Sequence, residues 1–257
     1  MKKFIARVWN SPNEDRFPGP QPISIERRHF KQLRSRPYVV CEKTDGTRHM
    51  LACFTDQDKK LCMLVDRCFN FTYTTLCVPR DTLLDGELIG DEYVVHDAMM
   101  VRGENIMHLP LLERLERVKR LMIPKTPGNP KVVVKKMYYL DQVKEIKMRK
   151  GVDGLVFTPI DEPVRMGTHE TMYKWKPKNL ITIDFLVKNG GLFLQHHDYI
   201  CDMIGYKQEY EGKIVECEYN NGWYVVKVRN DKNFPNNRRT YDRTLVNIRE
   251  DILITEF

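Results

Sequence analysis

The stretch VVCEKTDGTRHML, Val39 to Leu51, sets a lysine against a turn signal between two apolar runs. Val39–Cys41 reads as the buried part of one strand and His49–Leu51 as the start of another, with Asp45-Gly46 as the turn between them. An amine at a strand tip, with Arg48 five residues on, asks for a chemical reason. The pattern of a charged group at a strand end beside Gly or Pro recurs in LLDGELIG (Glu87), GVDGLVFTP (Asp153), MYKWKPKN (Lys174, Lys176) and VKVRNDKNFPN (Arg229, Asp231, Lys232). In YKWKP the side chains alternate, so the two lysines share one face and Trp175 turns to the core.

Around these segments the chain reads as short strands broken by turns: YVVCEKT, HMLACFT, KLCMLVDRC, FTYTTLCV, TLLDGELIG and EYVVHDAMMV. This is an antiparallel, strand-rich block. LPLLERLERVKRLMI carries Leu111, Leu112, Leu115, Val118, Leu121 and Met122 at helical spacing and ends at Pro124. KVVVKKMYYL reads as a strand and Asp141–Lys150 as a helix. Before the block, SIERRHFKQLRSRP reads as a helix with Ser24 as N-cap, stopped before Pro37. From about Thr182 the texture is all-β again, in strands suited to a small barrel, and YDRTLVNIREDILITEF reads as a closing helix.

The chain of 257 residues has room for one large or two modest domains. Its 42% hydrophobic and 30% charged content is that of a soluble globular protein. No apolar run reaches the ~18 residues of a membrane span, and the basic opening lacks the apolar segment of a signal peptide. These features point to an intracellular protein. The 7 cysteines are odd in number and form no C-x-x-C pair, which argues against disulfide staples and a tetrahedral zinc site. A net charge of +7 permits a polyanionic partner without demanding one. The basic run RRHFKQLRSR fits an RNA contact and a solvated helix face equally, and His196-His197 reads as a pair of exposed loop residues.

If the charged strand ends converge, one cleft holds Lys43, Arg48, Lys174 and Lys176 with the carboxylates Glu87 and Asp153. Several cations suit a polyphosphate. One or two carboxylates with substrate phosphates suit Mg²⁺. A lysine among other cations is expected to lose its proton more readily and so to become a nucleophile.

The same segments resemble the ordered motifs of the covalent nucleotidyltransferases, the superfamily of mRNA capping guanylyltransferases and DNA and RNA ligases. KTDG at 43–46 is similar to their motif I, DGELIG to motif III, YVVHDAMMV to the segment whose aromatic stacks on the purine, DGLVFTP to motif IV, YKWKP to motif V and RNDKNFPN to motif VI. The details KTDGTR, KWKP…TIDF and R-x-D-K-x-x-P-N resemble the capping guanylyltransferases, and ATP-dependent DNA ligases usually carry further DNA-binding domains.

The resemblance implies an α+β fold: a nucleotidyltransferase domain built on antiparallel sheets over 1–182, and an OB-fold barrel over 183–236 carrying motif VI. The helix 237–257 is expected to pack back on the first domain. The implied reaction runs from GTP, with Mg²⁺ or Mn²⁺, through a lysyl-GMP phosphoramidate to the 5′-diphosphate end of RNA. Lys43 is the implied nucleophile, and Lys174 and Lys176 act at the α-phosphate. Thr44, Arg48, Arg67 and Glu87 lie around the ribose and phosphates. Asp153 and Glu87 are the implied metal ligands, and Arg229, Asp231 and Lys232 orient the outer phosphates. His96 stands where the family usually has Phe or Tyr. Lys136 is the candidate for guanine O6, with Lys135 an equal possibility. An RNA triphosphatase, a cap methyltransferase and the phosphorylated tail of RNA polymerase II are the implied partners. The implied compartment is the nucleus for a cellular protein and the cytoplasm for a viral one. An ATP-dependent polynucleotide ligase and a catalytically inactive RNA- or polymerase-binding module are the alternatives.

Overall fold

The computed structural model describes residues 1–76, 78–121, 123 and 130–257. Cys77, Met122 and Pro124, used in the cysteine count and in the helix reading, lie outside the described residues. The chain forms two compact units: Met1–Ile23 with Leu33–Lys174, and Ser24–Gln32 with Trp175–Phe257. This division differs from the one expected at residue 182.

In chain order the elements begin with α1 (Lys2–Trp9), β1 (Gln21–Ser24), α2 (Phe30–Ser35), β2 (Tyr38–Thr44), β3 (Thr47–Asp56), β4 (Lys59–Val65) and β5 (Phe71–Tyr73). They continue with β6 (Thr82–Ile89), β7 (Glu92–Val101), β8 (Glu104–Asn105), α3 (Leu111–Lys119), β9 (Lys131–Val134), β10 (Tyr138–Tyr139), β11 (Val152–Pro159) and β12 (Thr168–Trp175). The rest are β13 (Thr182–Lys188), β14 (Gly191–Leu194), β15 (Asp198–Asp202), β16 (Ile214–Tyr219), β17 (Trp223–Val228) and α4 (Arg238–Glu250).

The first unit is built on two sheets, one in the order β1-β12-β11-β2-β10 and one in the order β5-β4-β3-β6-β7-β8, with β9 on β7. Strand β3 is apolar at consecutive positions because both of its faces are covered. Met50, Ala52 and Phe54 enter a core closed by Phe4, Ile5, Val8 and Trp9 of α1. Leu51 and Cys53 enter another with Val118 of α3 and Leu121. Leu111 and Leu115 of α3 also pack on Val39 of β2.

Several local expectations are corrected. Asp45-Gly46 lies between two strands as read, and it carries the chain from β2 in one sheet to β3 in the other. Glycine is required there by close approach, since a Cβ at Gly46 would meet Ile89 Cγ1 at 2.7 Å and the Leu88 carbonyl at 2.8 Å. KVVVKKMYYL is split: β9 runs parallel to β7 and β10 antiparallel to β2, in different sheets. The helix expected over Asp141–Lys150 is a 3₁₀ segment, Leu140–Glu145. Ser24 lies in β1, and the helical segment begins with a 3₁₀ turn at Arg27, where the Glu26 N–H donates to His29 Nδ1 at 3.0 Å. Helix α1 was not expected, although Phe4, Ile5, Val8 and Trp9 share one helical face.

The second unit holds an antiparallel sheet in the order β15-β14-β13-β16-β17. Ile183, Phe185, Val187, Leu192, Val215 and Trp223 form its core together with Tyr241 and Ile248 of α4. The C-terminal helix thus contributes to the core of this unit. Among the described residues no ladder joins β17 to β15.

Candidate active site

Strand β2 ends in Lys43 and Thr44, and neighbouring strands supply their partners. The Lys43 amine donates to Asp153 Oδ1 at 2.7 Å, with both side chains about one-quarter exposed, at 26% and 23%. Asp153 owes its aim to a β-bulge. Val152 pairs with Thr44 and Gly154 with Lys43, which leaves Asp153 as the extra residue between two paired ones. Lys43 and Asp153, two of the groups expected in one cleft, thus meet directly. Thr44 donates its hydroxyl to Glu87 of β6 and accepts from Lys135 Nζ at 2.6 Å. Lys135 is also 3.7 Å from Glu87, and its side chain is 8% exposed. Lys136 does not join this cluster. It is exposed and lies over the Tyr138 ring at 4.3 Å. Adjacent residues of extended chain point to opposite sides, so only one of the two lysines can face Thr44.

A second group is centred on Asp85, two residues before Glu87 on β6 and fully buried. Arg48 of β3 grips it with two bonds, Nε to Oδ1 at 2.9 Å and Nη2 to Oδ2 at 2.5 Å. Arg48 also donates to the Pro20 carbonyl at 2.6 Å and lies 5.4 Å from the Phe17 ring centroid. Burial alone would raise the Asp85 carboxyl, but Arg48 and then His96 outweigh it and hold it well below the usual carboxylate range. His96 approaches Asp85 Oδ1 with Nε2 at 3.3 Å. It too sits at a bulge: Asp97 pairs with Asp85 and Val95 with Gly86, so His96 is the residue left over. Desolvation, and then the like charge of Arg48, weaken the hold of Arg67 on its proton.

Lys174 lies near the end of β12, which is separated from β2 only by β11. Tyr173 and Trp175 are buried while Lys174 and Lys176 are partly exposed, so the alternation read from YKWKP holds. The Trp175 indole N–H donates to the Ile252 carbonyl at 2.8 Å.

Arg229, Asp231 and Lys232 gather in the second unit around a residue the sequence reading had not singled out, Asp184 of TIDF. Asp184 is 5% exposed. It accepts from Arg229 Nη1 at 2.9 Å and from Lys232 Nζ. Its backbone exchanges two bonds with Asn236: Asp184 N–H to Asn236 Oδ1 and Asn236 N–H to the Asp184 carbonyl, both 2.8 Å. Arg229 also reaches Glu216 at 3.3 Å. The hydrogen bond with Asp231, then Asp184 against the cost of burial, hold Arg229 above its ordinary value. A polar residue inside an apolar strand run was the available signal for both Asp85 and Asp184.

Among the described residues no three His, Cys, Asp or Glu side chains converge as a metal cage. Asp153 and Glu87, held on the adjacent residues Lys43 and Thr44, are oxygen donors of the type an ion completed by substrate phosphates and water takes. His196 and His197 are exposed. Arg27, Arg28 and Arg36 of the early basic run are held by Glu256, Glu26 and Glu162. No helix among the described residues is long and apolar enough to cross a membrane.

The family profile "mRNA capping enzyme, catalytic domain" matches residues 1–178, and "mRNA capping enzyme, C-terminal domain" matches residues 161–257. The mRNA-capping enzyme subunit alpha of Schizosaccharomyces pombe is 31% identical over 230 residues, covering 73% of this chain and 57% of its own. The mRNA-capping enzyme of Mus musculus is 27% identical over 271 residues, covering 86% of this chain and 45% of its own. The chain thus spans about half the length of these relatives. A solved structure named Pmar-Lig_PreS3 shares the fold with a TM-score of 0.52 at 12% identity, over 88% of this chain and 70% of the other.

Proposed function

The chain belongs to the mRNA capping enzyme family, and from that premise we propose that it is an RNA guanylyltransferase working through a covalent lysyl-GMP intermediate. The observation that carries this reading is the Lys43 amine at the end of β2, paired with Asp153 beside the Thr44–Glu87–Lys135 cluster.

Lys43 Nζ attacks the α-phosphorus of GTP, the bond to the bridging oxygen breaks and pyrophosphate leaves. The 5′-diphosphate end of an RNA then takes the GMP from the lysine, giving a two-step exchange. Before attack the amine must leave Asp153 and lose its proton, and the pair gives Asp153 first access to that proton. Arg48 spends three N–H donors on Asp85 and Pro20 and keeps two for the ribose and phosphate. Lys174 and Lys176 act on the charge that develops at the α-phosphate. Arg67 takes the sugar and phosphate, and Arg229, Asp231 and Lys232 take the outer phosphates. These last roles rest on the resemblance of their motifs.

Lys135 is the better candidate than Lys136 to read guanine, because it is the lysine that reaches into the cluster. An ammonium donates to the O6 acceptor of guanine and meets a donor in the 6-amino group of adenine. His96 offers a flat ring to the base, fixed by Asp85. Asp153 and Glu87 are the residues that would hold Mg²⁺ or Mn²⁺, which when bound neutralises phosphate charge. An RNA triphosphatase, a cap methyltransferase and the polymerase tail are the partners such a chemistry calls for, and the nucleus the proposed compartment.

Separate incubation with α-phosphate-labelled GTP and ATP, followed by denaturation, tests the proposal. Label from GTP alone is expected. Label from ATP alone contradicts it and makes the chain a ligase.

A further inference from the structure

Cys53 and Cys62 face each other across β3 and β4, with their sulfur atoms hydrogen-bonded at 2.9 Å. The hairpin register explains the approach. Gln57 and Asp58 form a two-residue loop, both with positive φ (44° and 63°), and Asp56 pairs with Lys59 to close it. Closing pairs of such loops exchange hydrogen bonds, and pairs then alternate along the ladder. Counting back from Asp56–Lys59 through Thr55–Lys60 and Phe54–Leu61 makes Cys53–Cys62 a non-hydrogen-bonded pair. Such pairs bring Cα atoms to about 4.5 Å and side chains closest. That separation lies within the range a disulfide spans.

The environments of the two thiols differ. Cys53 is fully buried beside Leu51 and Leu84, whereas Cys62 is partly exposed on the rim of the same core. The hydrogen bond it shares with Cys53, then the Val78 backbone N–H and Lys60, outweigh partial burial and lower the Cys62 thiol to about 6. Burial does the reverse elsewhere, pushing Cys41 up to about 11 and Cys217 up to about 12. Neither Cys53 nor Cys62 has a part in the proposed nucleotide chemistry.

We propose that Cys53 and Cys62 are a peroxide-oxidisable dithiol that closes an intrachain disulfide between β3 and β4. The Cys62 thiolate attacks one oxygen of hydrogen peroxide, the O–O bond breaks, and the leaving hydroxide takes a proton to become water. Cys62 is then a sulfenic acid. Cys53 Sγ attacks its sulfur, the S–O bond breaks, and the hydroxide leaves as water with the Cys53 proton. Two thiols lose two electrons and the peroxide is reduced to two waters. Only the first step needs access to solvent, and Cys62 has it.

Trypsin separates the relevant residues: Cys53 lies in His49–Lys59, Cys62 in Leu61–Arg67, and Cys68 and Cys77 in Cys68–Arg80. The native chain is treated with about one equivalent of hydrogen peroxide, blocked with N-ethylmaleimide, digested and analysed by mass spectrometry. The expected product is His49–Lys59 linked to Leu61–Arg67, formed before the exposed Cys68 is oxidised. In Cys53→Ser, which keeps a hydrogen-bonding partner for Cys62 but no resolving thiol, Cys62 is expected to stop at the sulfenic acid and to take up dimedone. Maleimide on Cys62 at a dose that oxidises Cys68 overturns the proposal, as does a link from Leu61–Arg67 to any other peptide. Absence of dimedone on Cys62 in Cys53→Ser overturns its assignment as the attacking thiol.

Discussion

The two halves of the candidate site in the first unit hold their charges in opposite ways. Around Asp85 the arrangement is finished before any ligand arrives. A fully buried carboxylate takes two bonds from Arg48, and Arg48 is further fixed by Pro20 and Phe17. Around Lys43 the arrangement is provisional. One contact joins the amine to a carboxylate, and both partners keep about a quarter of their surface in solvent. A group that positions a ligand gains from being locked, because no reorganisation is left for the reaction step. A group that must become a nucleophile gains from a partner it can leave.

Substitutions at the two acids break this contrast most directly. Asp85→Ala leaves the Arg48 guanidinium buried without its counter-charge and is expected to lower unfolding stability by about 3–5 kcal/mol, measured by denaturant titration. The pH dependence follows the sign of the shift. Asp85 has a depressed folded value, so its contribution is complete above the ordinary carboxylate value of ~3.9 and drains away as pH falls from there toward the lower folded value. Asp85→Asn is expected to lose that acid limb of the stability profile. A profile that kept its full slope would place the acid sensitivity elsewhere.

Lys135→Met sharpens the comparison at the proposed base-reading end. Removing one charged hydrogen bond is expected to reduce the preference for GTP over ATP in covalent labelling by roughly tenfold to a hundredfold. Lys136→Met is expected to leave it unchanged, and the reverse order of effects would return the role to Lys136. The smallest stability effect belongs to Asp153→Asn. Its partly exposed pair is worth less than about 1 kcal/mol, so the denaturation midpoint is expected to stay near that of the wild type while labelling falls.

The strands bearing Lys43, Arg48, Glu87 and Lys174 were legible because apolar runs and turn residues mark them locally. Direction was not. Asp153 and His96 are aimed by bulges, and a bulge depends on register with another strand, which a single strand does not disclose. The choice between Lys135 and Lys136 turned on one step of side-chain alternation. Asp45-Gly46 has the composition of a hairpin turn, yet Ile89 and the Leu88 carbonyl, far along the chain, decide what that glycine does. Asp85 and Asp184 stand out locally as acids inside apolar strand runs, but which arginines they hold is set by the fold.

In the proposed mechanism Lys43 is the side chain that leaves its partner to take the nucleotide. The protein is incubated with GTP and Mg²⁺, digested, and the GMP adduct is located by tandem mass spectrometry. A phosphoramidate on Lys43 is expected, and none in Lys43→Ala. An adduct on Lys135, Lys174 or any other residue, or an adduct that persists in Lys43→Ala, would contradict it.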